Sequence, residues 1–485
     1  MATVDRRTLL RGAAIAAVGG PFAGFIARSG CTPRSDPRPA ARLRPVPDKR
    51  DGEVRLHLPR DFGYRSFHDT GAGAELDDGT VLPGRHDGMA AFRGPHDTVV
   101  LIRNHEVNGP GAAFGPGTPY DPHARGGTTT VEVTPRGEVR RAYTSLNGTV
   151  RNCGGGPMPW GAWVSCEETV NGPDVGPDFS GARNTSLAEP HGFIYEVPVG
   201  GESSREPITR AGRFAHEAAA FDPGDGIVYL TEDNFGFPSG FYRYRPRRNP
   251  MRTGRLDNDG RLQMLAVAGQ ANAHLEANQP QRARYRVAWV DIDDPAPRFR
   301  YTPGKTAPTS NNDALRYVGD QGREQGAASF SRLEGAVYDD GVVYFCSTKG
   351  GGHAELTQGP IIDGYGNGNG QIWAYHTRSE TLHLVYESPG PDVLDFPDNV
   401  TTSPRGTLVV CEDNVNDNYL RGLARDGQVF DIALNQLRDR AGGDRPKSEF
   451  AGATFSPDGR TLFVNIQAEQ GLTFAIWGPW ERIGV

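Results

Sequence analysis

The chain has 485 residues, with 59 acidic and 52 basic side chains, so its formal net charge is -7. This mild acidity gives no support for a nucleic-acid partner or for binding to an anionic membrane surface. With 64 glycines, 38 prolines and few long stretches of helical periodicity, the composition favours many short strands joined by turns.

The N-terminus has the features of an export signal. Arg6 and Arg7 begin a twin-arginine pattern, and an uncharged segment follows from Gly12 to Ala27. We therefore predict a twin-arginine (Tat) signal peptide over residues 1–31, recognition by the Tat export machinery, and a periplasmic or extracellular location. The alternative is a membrane anchor, but the segment is shorter than the ~20 apolar residues that a span needs, so no stable membrane span is expected.

Residues 32–50 are rich in proline and arginine and are predicted to form a flexible linker before one domain over residues 51–485. Cys31 directly precedes this linker and leaves lipid anchoring open, although the residues before it do not fit the usual pattern. The remaining cysteines show no disulfide or zinc spacing; they are Cys153, Cys166, Cys346 and Cys411.

A short apolar strand with a polar end recurs six times in the predicted domain. Turn-forming residues precede most copies, as in Asp339-Asp340-Gly341, and predict tight antiparallel hairpins. Six such units predict an all-β fold, a six-bladed β-propeller closed by pairing of residues 472–480 with N-terminal sequence. A large β-sandwich is the alternative, but it would leave the repeat unexplained. The copies begin at Thr98, Gly161, Gly226, Gly341, Gly406 and Gly459.

Acidic and amide residues follow four of these strands, at 104–106, 166–168, 232–234 and 412–414. Equivalent strand ends of a propeller face a common axis, so these carboxylates would meet there and repel one another. A multivalent cation relieves that repulsion; oxygen ligands suit calcium, and a thiolate suits a transition metal. One acidic pair alone would indicate an ordinary turn, whereas four at similar registers favour a metal site.

Three cysteines occupy the same position of their repeats, namely Cys166, Cys346 and Cys411. A small apolar residue recurring at one register indicates packing between blades, so the repeat alone favours a structural role for each. Cys166 differs from the others because two glutamates follow it directly.

Five long motifs together resemble the PhoX family of exported, calcium-dependent alkaline phosphatases. They extend over nearly the whole predicted domain and are far more specific than any short acidic pair within them. They are Pro159–Glu168 (PWGAWVSCEE), Gly212–Asn234, Phe330–Gly352, Phe396–Asn414 and Glu449–Gln467.

The resemblance implies a six-bladed propeller whose axial site holds a pair of ferric ions (Fe3+) and several calcium ions (Ca2+), with a cysteine among the iron ligands. By this resemblance Cys166 is an iron ligand, and Glu217 and Glu334 are shared metal ligands. Further metal ligands are expected at Glu106, Glu168, Asp398 and Asp413.

Two cationic residues are candidates for the catalytic step. Arg332 lies two residues before Glu334 and points the same way from an extended strand, which makes it a candidate phosphate clamp; a salt bridge is the alternative. Lys349 precedes the glycine-rich segment 350–352, which could approach phosphate or form a plain surface loop.

The expected reaction is metal-assisted hydrolysis of small-molecule phosphate esters, chiefly monoesters, with Arg332 stabilising the developing charge. One rival function is that of a calcium-dependent lactonase, which would not need a cysteine among the acids. A second rival is a TolB-like propeller that binds protein partners, which would leave the acidic axis unexplained.

Overall fold

The computed structural model describes residues 42–357, 359–438 and 445–485. The predicted signal peptide, Cys31 and the first part of the predicted linker lie outside the described residues. Within the predicted linker, Arg44–Pro47 forms the first strand and pairs with Val54–Leu58.

The described residues form 26 strands in five antiparallel sheets, with only short helices apart from Asn311–Glu324. The first sheet contains β4 (His86–Arg93), β5 (Val99–His105), β6 (Gly126–Val133) and β7 (Val139–Thr149). The second contains β8 (Asn152–Met158), β9 (Ala162–Glu167) and β10 (Ile194–Pro198). The other helices are Pro250–Thr253 and Trp480–Ile483, with 3-10 turns at Thr70–Ala72, Asn184–Ser186, Thr209–Ala211 and Arg445–Lys447.

The third sheet has nine strands because β15 (Arg284–Asp291) pairs on both sides and joins two four-stranded runs. The first run is β11 (His216–Asp222), β12 (Ile227–Glu232), β13 (Phe241–Pro246) and β14 (Gly260–Val267). The second run is β16 (Leu333–Asp339), β17 (Val342–Ser347), β18 (Gln371–His376) and β19 (Thr381–Glu387).

The last two sheets combine both ends of the described chain. In one, β1 (Arg44–Pro47) and β2 (Val54–Leu58) extend β20 (Pro397–Thr402), β21 (Leu408–Glu412), β22 (Tyr419–Leu423) and β23 (Val429–Asn435). In the other, β3 (Gly63–Phe67) pairs with β26 (Leu472–Trp477), beside β24 (Phe450–Phe455) and β25 (Thr461–Ile466). The predicted closure of the C-terminal strand with N-terminal sequence is therefore confirmed.

The all-β, propeller-like architecture is confirmed, with a correction to the expected division into separate blades. The strands from β4 onward form six groups of consecutive, paired strands, which we call runs and which begin at β4, β8, β11, β16, β20 and β24. The first strand of each run contacts the first strand of the next, and β24 contacts β4, so the six first strands form a closed ring. The hydrogen bonds nevertheless define five sheets rather than six, because β15 fuses two runs. None of the helices in the described ranges is long and apolar enough to cross a membrane.

Close packing of the first strands requires small residues. A Cβ placed on Gly156 would lie 1.5 Å from the Ala219 carbonyl oxygen, and one on Gly335 would lie 2.6 Å from the Cα of Asn399. The predicted hairpins are confirmed as well: Asp340 and Gly341 both have left-handed φ values, 43° and 84°, as a two-residue turn of this hand requires. The apolar cores lie between neighbouring sheets; Val164 and Ile194, for example, share a core with Leu230.

Candidate functional site

A cavity of about 940 Å³ opens where the first strands begin and the second strands end. Ten acidic side chains and three arginines line it. Such a concentration of carboxylates is costly in a partly buried cavity unless cations compensate it, so the cavity is the candidate functional site.

Equivalent residues of the first strands contribute one layer of the cavity. In each run the pairing with the second strand is interrupted by a β-bulge near the start of the first strand. A bulge re-aims the side chain that it contains, and here it turns that side chain towards the shared axis. Five of these bulge residues line the cavity, namely Asp87, Cys153, Glu217, Glu334 and Asp398; the sixth, Gly452, has no side chain and is not part of the lining.

The residues that follow the second strands contribute a second layer. Glu106 donates its backbone N–H to the Arg85 carbonyl at 2.9 Å, and Glu168 donates to the Arg151 carbonyl at 3.0 Å. The same backbone bond recurs from Asp233 and from Asp413, so it holds four acidic residues in one register. We call the five bulge residues that line the cavity, together with Glu106, Glu168, Asp233 and Asp413, the floor of the cavity.

Within the floor, two groups of side chains have the spacing of metal ligands. Cys153, Glu168 and Glu217 form one group, and Glu217, Glu334 and Asp398 form the other; in each group the ligand atoms lie within 4.8 Å of one another. Glu217 belongs to both groups. The structure thus brings together four of the predicted ligands, Glu168, Glu217, Glu334 and Asp398, and places Glu106 and Asp413 in the same lining.

The structure does not bring the predicted ligand Cys166 to the cavity. Cys166 is fully buried in the core between the second and third sheets, and its carbonyl oxygen faces the Cys153 Sγ at 3.8 Å. The physical reason is strand alternation: within β9 the side chain of Cys166 points into the packing layer, as the repeat itself indicated. Cys153, from the first strand of the same sheet, supplies the thiol instead.

The raised pKa values of the floor carboxyl groups are those expected of a site that binds multivalent cations. Burial raises the pKa of Glu217, and the nearby charges of Asp398, Asp87 and Glu168 raise it further. Burial and the charge of Asp413 raise the pKa of Asp398 to about 7. Acids that repel one another in this way ionise readily only beside added positive charge, and carboxylates with a thiol are ligands for such ions. The residues present therefore fit a metal centre.

Arg332 lies in the cavity lining and is ion-paired, so the salt bridge that was one of its two sequence interpretations is present, and its role as a phosphate clamp stays a prediction. Its Nη2 donates to Asp233 Oδ2 and to Glu334 Oε1, both at 2.9 Å, and its guanidinium lies 5.1 Å from the centre of the Phe235 ring. Its backbone is left-handed, with φ at 40°. Arg85 and Arg151, at the equivalent positions of two other runs, share this conformation with φ at 45° and 50°.

Lys349 is not among the residues that line the cavity. Its Nζ donates to the carbonyl oxygens of Asp363, at 2.6 Å, and of Gly364, at 3.1 Å. The ammonium group therefore fastens the loop between β17 and β18 and does not face the floor.

Sequence reasoning missed several lining residues: Asp87, Cys153, Glu449, Arg85 and Arg151. Asp233 belongs to the acidic cluster at 232–234 that was predicted to face the axis, but it was not named as a ligand. The signal for the bulge residues was present in the short motifs HDG, NCG, HEA, LEG and PDN, each of which begins a first strand. Aligning the first strands as well as the second would have placed Asp87 and Cys153 in the same column as Glu217.

Comparison with known proteins shows the family of the chain. The family model described as alkaline phosphatase PhoX matches residues 41–469. No curated protein sequence matches the chain.

Among solved structures, PhoX of Pseudomonas fluorescens in complex with vanadate, a transition state analogue, matches with a TM-score of 0.63 at 17% identity, over 92% of this chain and 98% of that one. At this identity the match shows a shared fold. A gluconolactonase from Xanthomonas campestris matches with a TM-score of 0.38 at 12% identity, over 90% of this chain and 99% of that one. That likeness is too low to bear on the function of this chain.

Proposed function

The chain belongs to the PhoX family of alkaline phosphatases, and from that premise we propose that it hydrolyses small-molecule phosphate esters, chiefly monoesters, to release inorganic phosphate. One observation carries the proposal: carboxylates from separate runs of strands meet one thiol and three guanidinium groups in a single cavity. Phosphoryl transfer needs mainly positioning and charge stabilisation, and such a site can supply both.

We propose that the centre holds ferric and calcium ions. Cys153, Glu168 and Glu217 suit a transition metal because a thiolate lies among hard oxygen ligands. Glu334 and Asp398, with Glu217, form an all-carboxylate group that suits hard cations such as Fe3+ or Ca2+. When bound, these ions would polarise phosphoryl oxygens and lower the pKa of water to make it a better nucleophile.

In this proposal Arg332 binds the phosphoryl oxygens. Asp233 and Glu334 accept hydrogen bonds from its Nε and Nη2 and so fix the guanidinium in one orientation. Its Nη1 makes no hydrogen bond within the described ranges and is available to a phosphoryl oxygen at the cavity. A preorganised cation of this kind stabilises the charge that develops on the equatorial oxygens without having to reorganise.

Three further features of the proposal concern the whole molecule. We propose that the six runs of strands, with their ring of first strands, are six propeller blades. We also propose that residues 51–485 act as one catalytic domain, and that the protein leaves the cytoplasm by the twin-arginine route to the periplasm or beyond. Export of a folded protein suits an enzyme that acquires its metal ions before export.

The test is to assay the purified protein with a chromogenic phosphate ester, before and after exhaustive chelation, and to measure its iron and calcium. We expect release of phosphate that is lost on chelation and restored by adding back both metals. Metal-replete protein that leaves phosphate esters intact but opens lactones would replace the phosphatase proposal with the lactonase alternative.

A further inference from the structure

The mouth of the cavity differs in chemistry from its floor. Three large, exposed apolar side chains line it: Phe179 from the loop between β9 and β10, Phe235 after β12, and Ile362 from the loop between β17 and β18. They are 84%, 48% and 89% exposed, which makes Phe179 and Ile362 among the most exposed large apolar side chains of the described chain. We call these three residues the lip.

The lip is attached to the residues that line the floor. The Phe179 ring lies 5.0 Å from the Arg151 guanidinium, and the Phe235 ring lies 5.1 Å from that of Arg332. Cation–π contacts of this kind orient an aromatic ring, and the exposure of both side chains leaves part of each ring open to solvent. The rings therefore present flat apolar faces directly beside the cations of the cavity.

Backbone hydrogen bonds tie the third lip residue to the second. The N–H of Tyr365 donates to the Phe235 carbonyl oxygen at 2.6 Å, and that of Ile361 donates to the Gly236 carbonyl oxygen at 3.0 Å. The loop that carries Ile362 is thus fastened to the segment that carries Phe235. Grouped, exposed apolar surface held in a fixed position commonly marks a binding site.

The position of the lip identifies its ligand. If the phosphoryl group lies against Arg332, the ester oxygen must direct the leaving group out of the cavity, towards the mouth. A glycerol or sugar group would gain little from two aromatic faces and an isoleucine, whereas an aromatic group would stack against them and bury apolar area.

We propose, resting on the proposed phosphatase function, that the lip makes the protein selective for phosphate monoesters whose leaving group is aromatic. The phosphoryl group then lies at the floor, and the aromatic alcohol lies between the lip side chains. Phe179, Phe235 and Ile362 are specificity-determining residues and take no part in the bond that breaks.

The experiment compares kcat/KM for 1-naphthyl phosphate and for glycerol phosphate in the wild type, Phe179→Ala and Ile362→Ala. Val81→Ala serves as the control, because Val81 is 69% exposed and does not line the cavity. Each lip variant should lower kcat/KM for the naphthyl ester by about 3- to 10-fold, the range of one aromatic contact, and change that for glycerol phosphate less than about twofold. Comparing each variant with the wild type removes the intrinsic reactivity of the two esters.

Equal losses for both esters, or no loss for either, would overturn the proposal. If the wild type hydrolyses neither ester, the proposed phosphatase function fails, and the lip is then judged by calorimetric binding of phenylphosphonate and methylphosphonate. A preference for the phenyl compound that Phe179→Ala removes would support the aromatic site, and equal affinities would overturn it. A concentration-dependent dimer that Phe179→Ala dissociates would also overturn it, because the lip would then be an interface.

Discussion

The floor and the lip of the cavity are built in opposite ways. The floor comes from corresponding positions of several β-hairpins, is buried, and is held by a backbone hydrogen bond that recurs from run to run. The lip comes from loops that differ in length and sequence, and its side chains are largely exposed. The repeated strands thus determine which charges meet, and the unrepeated loops determine what lies beside them.

This division separates two kinds of function. Ligands on strands are positioned closely because packing fixes their backbones, whereas loops tolerate change and can adapt to a substrate. We therefore expect substitutions in the floor to abolish metal binding and the reaction together. Substitutions in the lip should alter the choice of substrate and leave the metal centre intact.

The largest effect is expected from Glu217→Gln, because Glu217 belongs to both groups of candidate ligands. Loss of a shared ligand should remove several kcal/mol of transition-state stabilisation, so kcat should fall by at least about 10³-fold and bound metal should fall with it. The measurements are phosphatase kinetics and elemental analysis of the same preparations.

Glu196→Gln is the matched control for this experiment. Glu196 accepts hydrogen bonds from Trp160 Nε1 and the Leu256 N–H on an outer strand, away from the cavity. The Glu196→Gln variant should keep its metal content and its activity within about twofold of the wild type. Full metal content and activity in Glu217→Gln would contradict the assignment of the floor as the metal centre.

The sequence was sufficient to predict an all-β, propeller-like fold because the fold is repetitive. Turns such as Asp340-Gly341 and the recurring second strands indicated antiparallel hairpins, and the residues from 472 to 477 pair with N-terminal sequence as predicted. The pairing that β15 makes on both sides could not be predicted, because it lies outside the repeat and depends on how two runs pack.

The candidate site was predicted where the family resemblance implied an acidic ligand. Glu217, Glu334 and Asp398 were named in this way, but Cys153 and Asp87 were not, although all five lie at the bulge of a first strand. Whether a residue of a bulged strand points to the axis or into the packing layer depends on which residue is the extra one, and a single sequence does not show that.

Substitution of the two cysteines of the second sheet should give the next largest effect. It should also distinguish a residue of the floor from a residue of the apolar core. Cys153→Ser exchanges a soft thiolate for a hydroxyl in a ligand group, so activity should fall by about 10²-fold and thiolate-to-metal absorption should disappear. Cys166→Ser alters only the packing layer, so it should cost about 1–3 kcal/mol of stability and leave the absorption spectrum unchanged. Loss of the absorption in Cys166→Ser alone would restore the ligand role that the family resemblance implied for Cys166.

The loop that carries Phe179 is held by a buried ion pair. Breaking that pair should have the smallest effect on activity of the changes considered. Asp174, five residues before Phe179, accepts hydrogen bonds from Arg213 Nη1 and Nη2 at 2.7 and 2.8 Å. Burial alone would raise the pKa of Asp174, but the Arg213 guanidinium overcomes that effect and holds it below its ordinary value. The pair is therefore charged in the folded protein.

Asp174→Asn should loosen the lip without touching the floor. Weakening hydrogen bonds to a charged group should lower the free energy of unfolding by about 1–3 kcal/mol, while the preference for an aromatic over a glycerol ester falls about threefold or less and metal content stays constant. Asp257→Asn is the control, because Asp257 makes a two-bonded pair outside the cavity lining with Arg248, whose side chain is 64% exposed, so a smaller loss of stability is expected. If Asp174→Asn loses stability but neither variant changes the substrate preference, the lip is positioned by its contacts with the cavity arginines. If Asp174→Asn instead releases metal, floor and lip are coupled, and the division between repeated strands and variable loops does not hold.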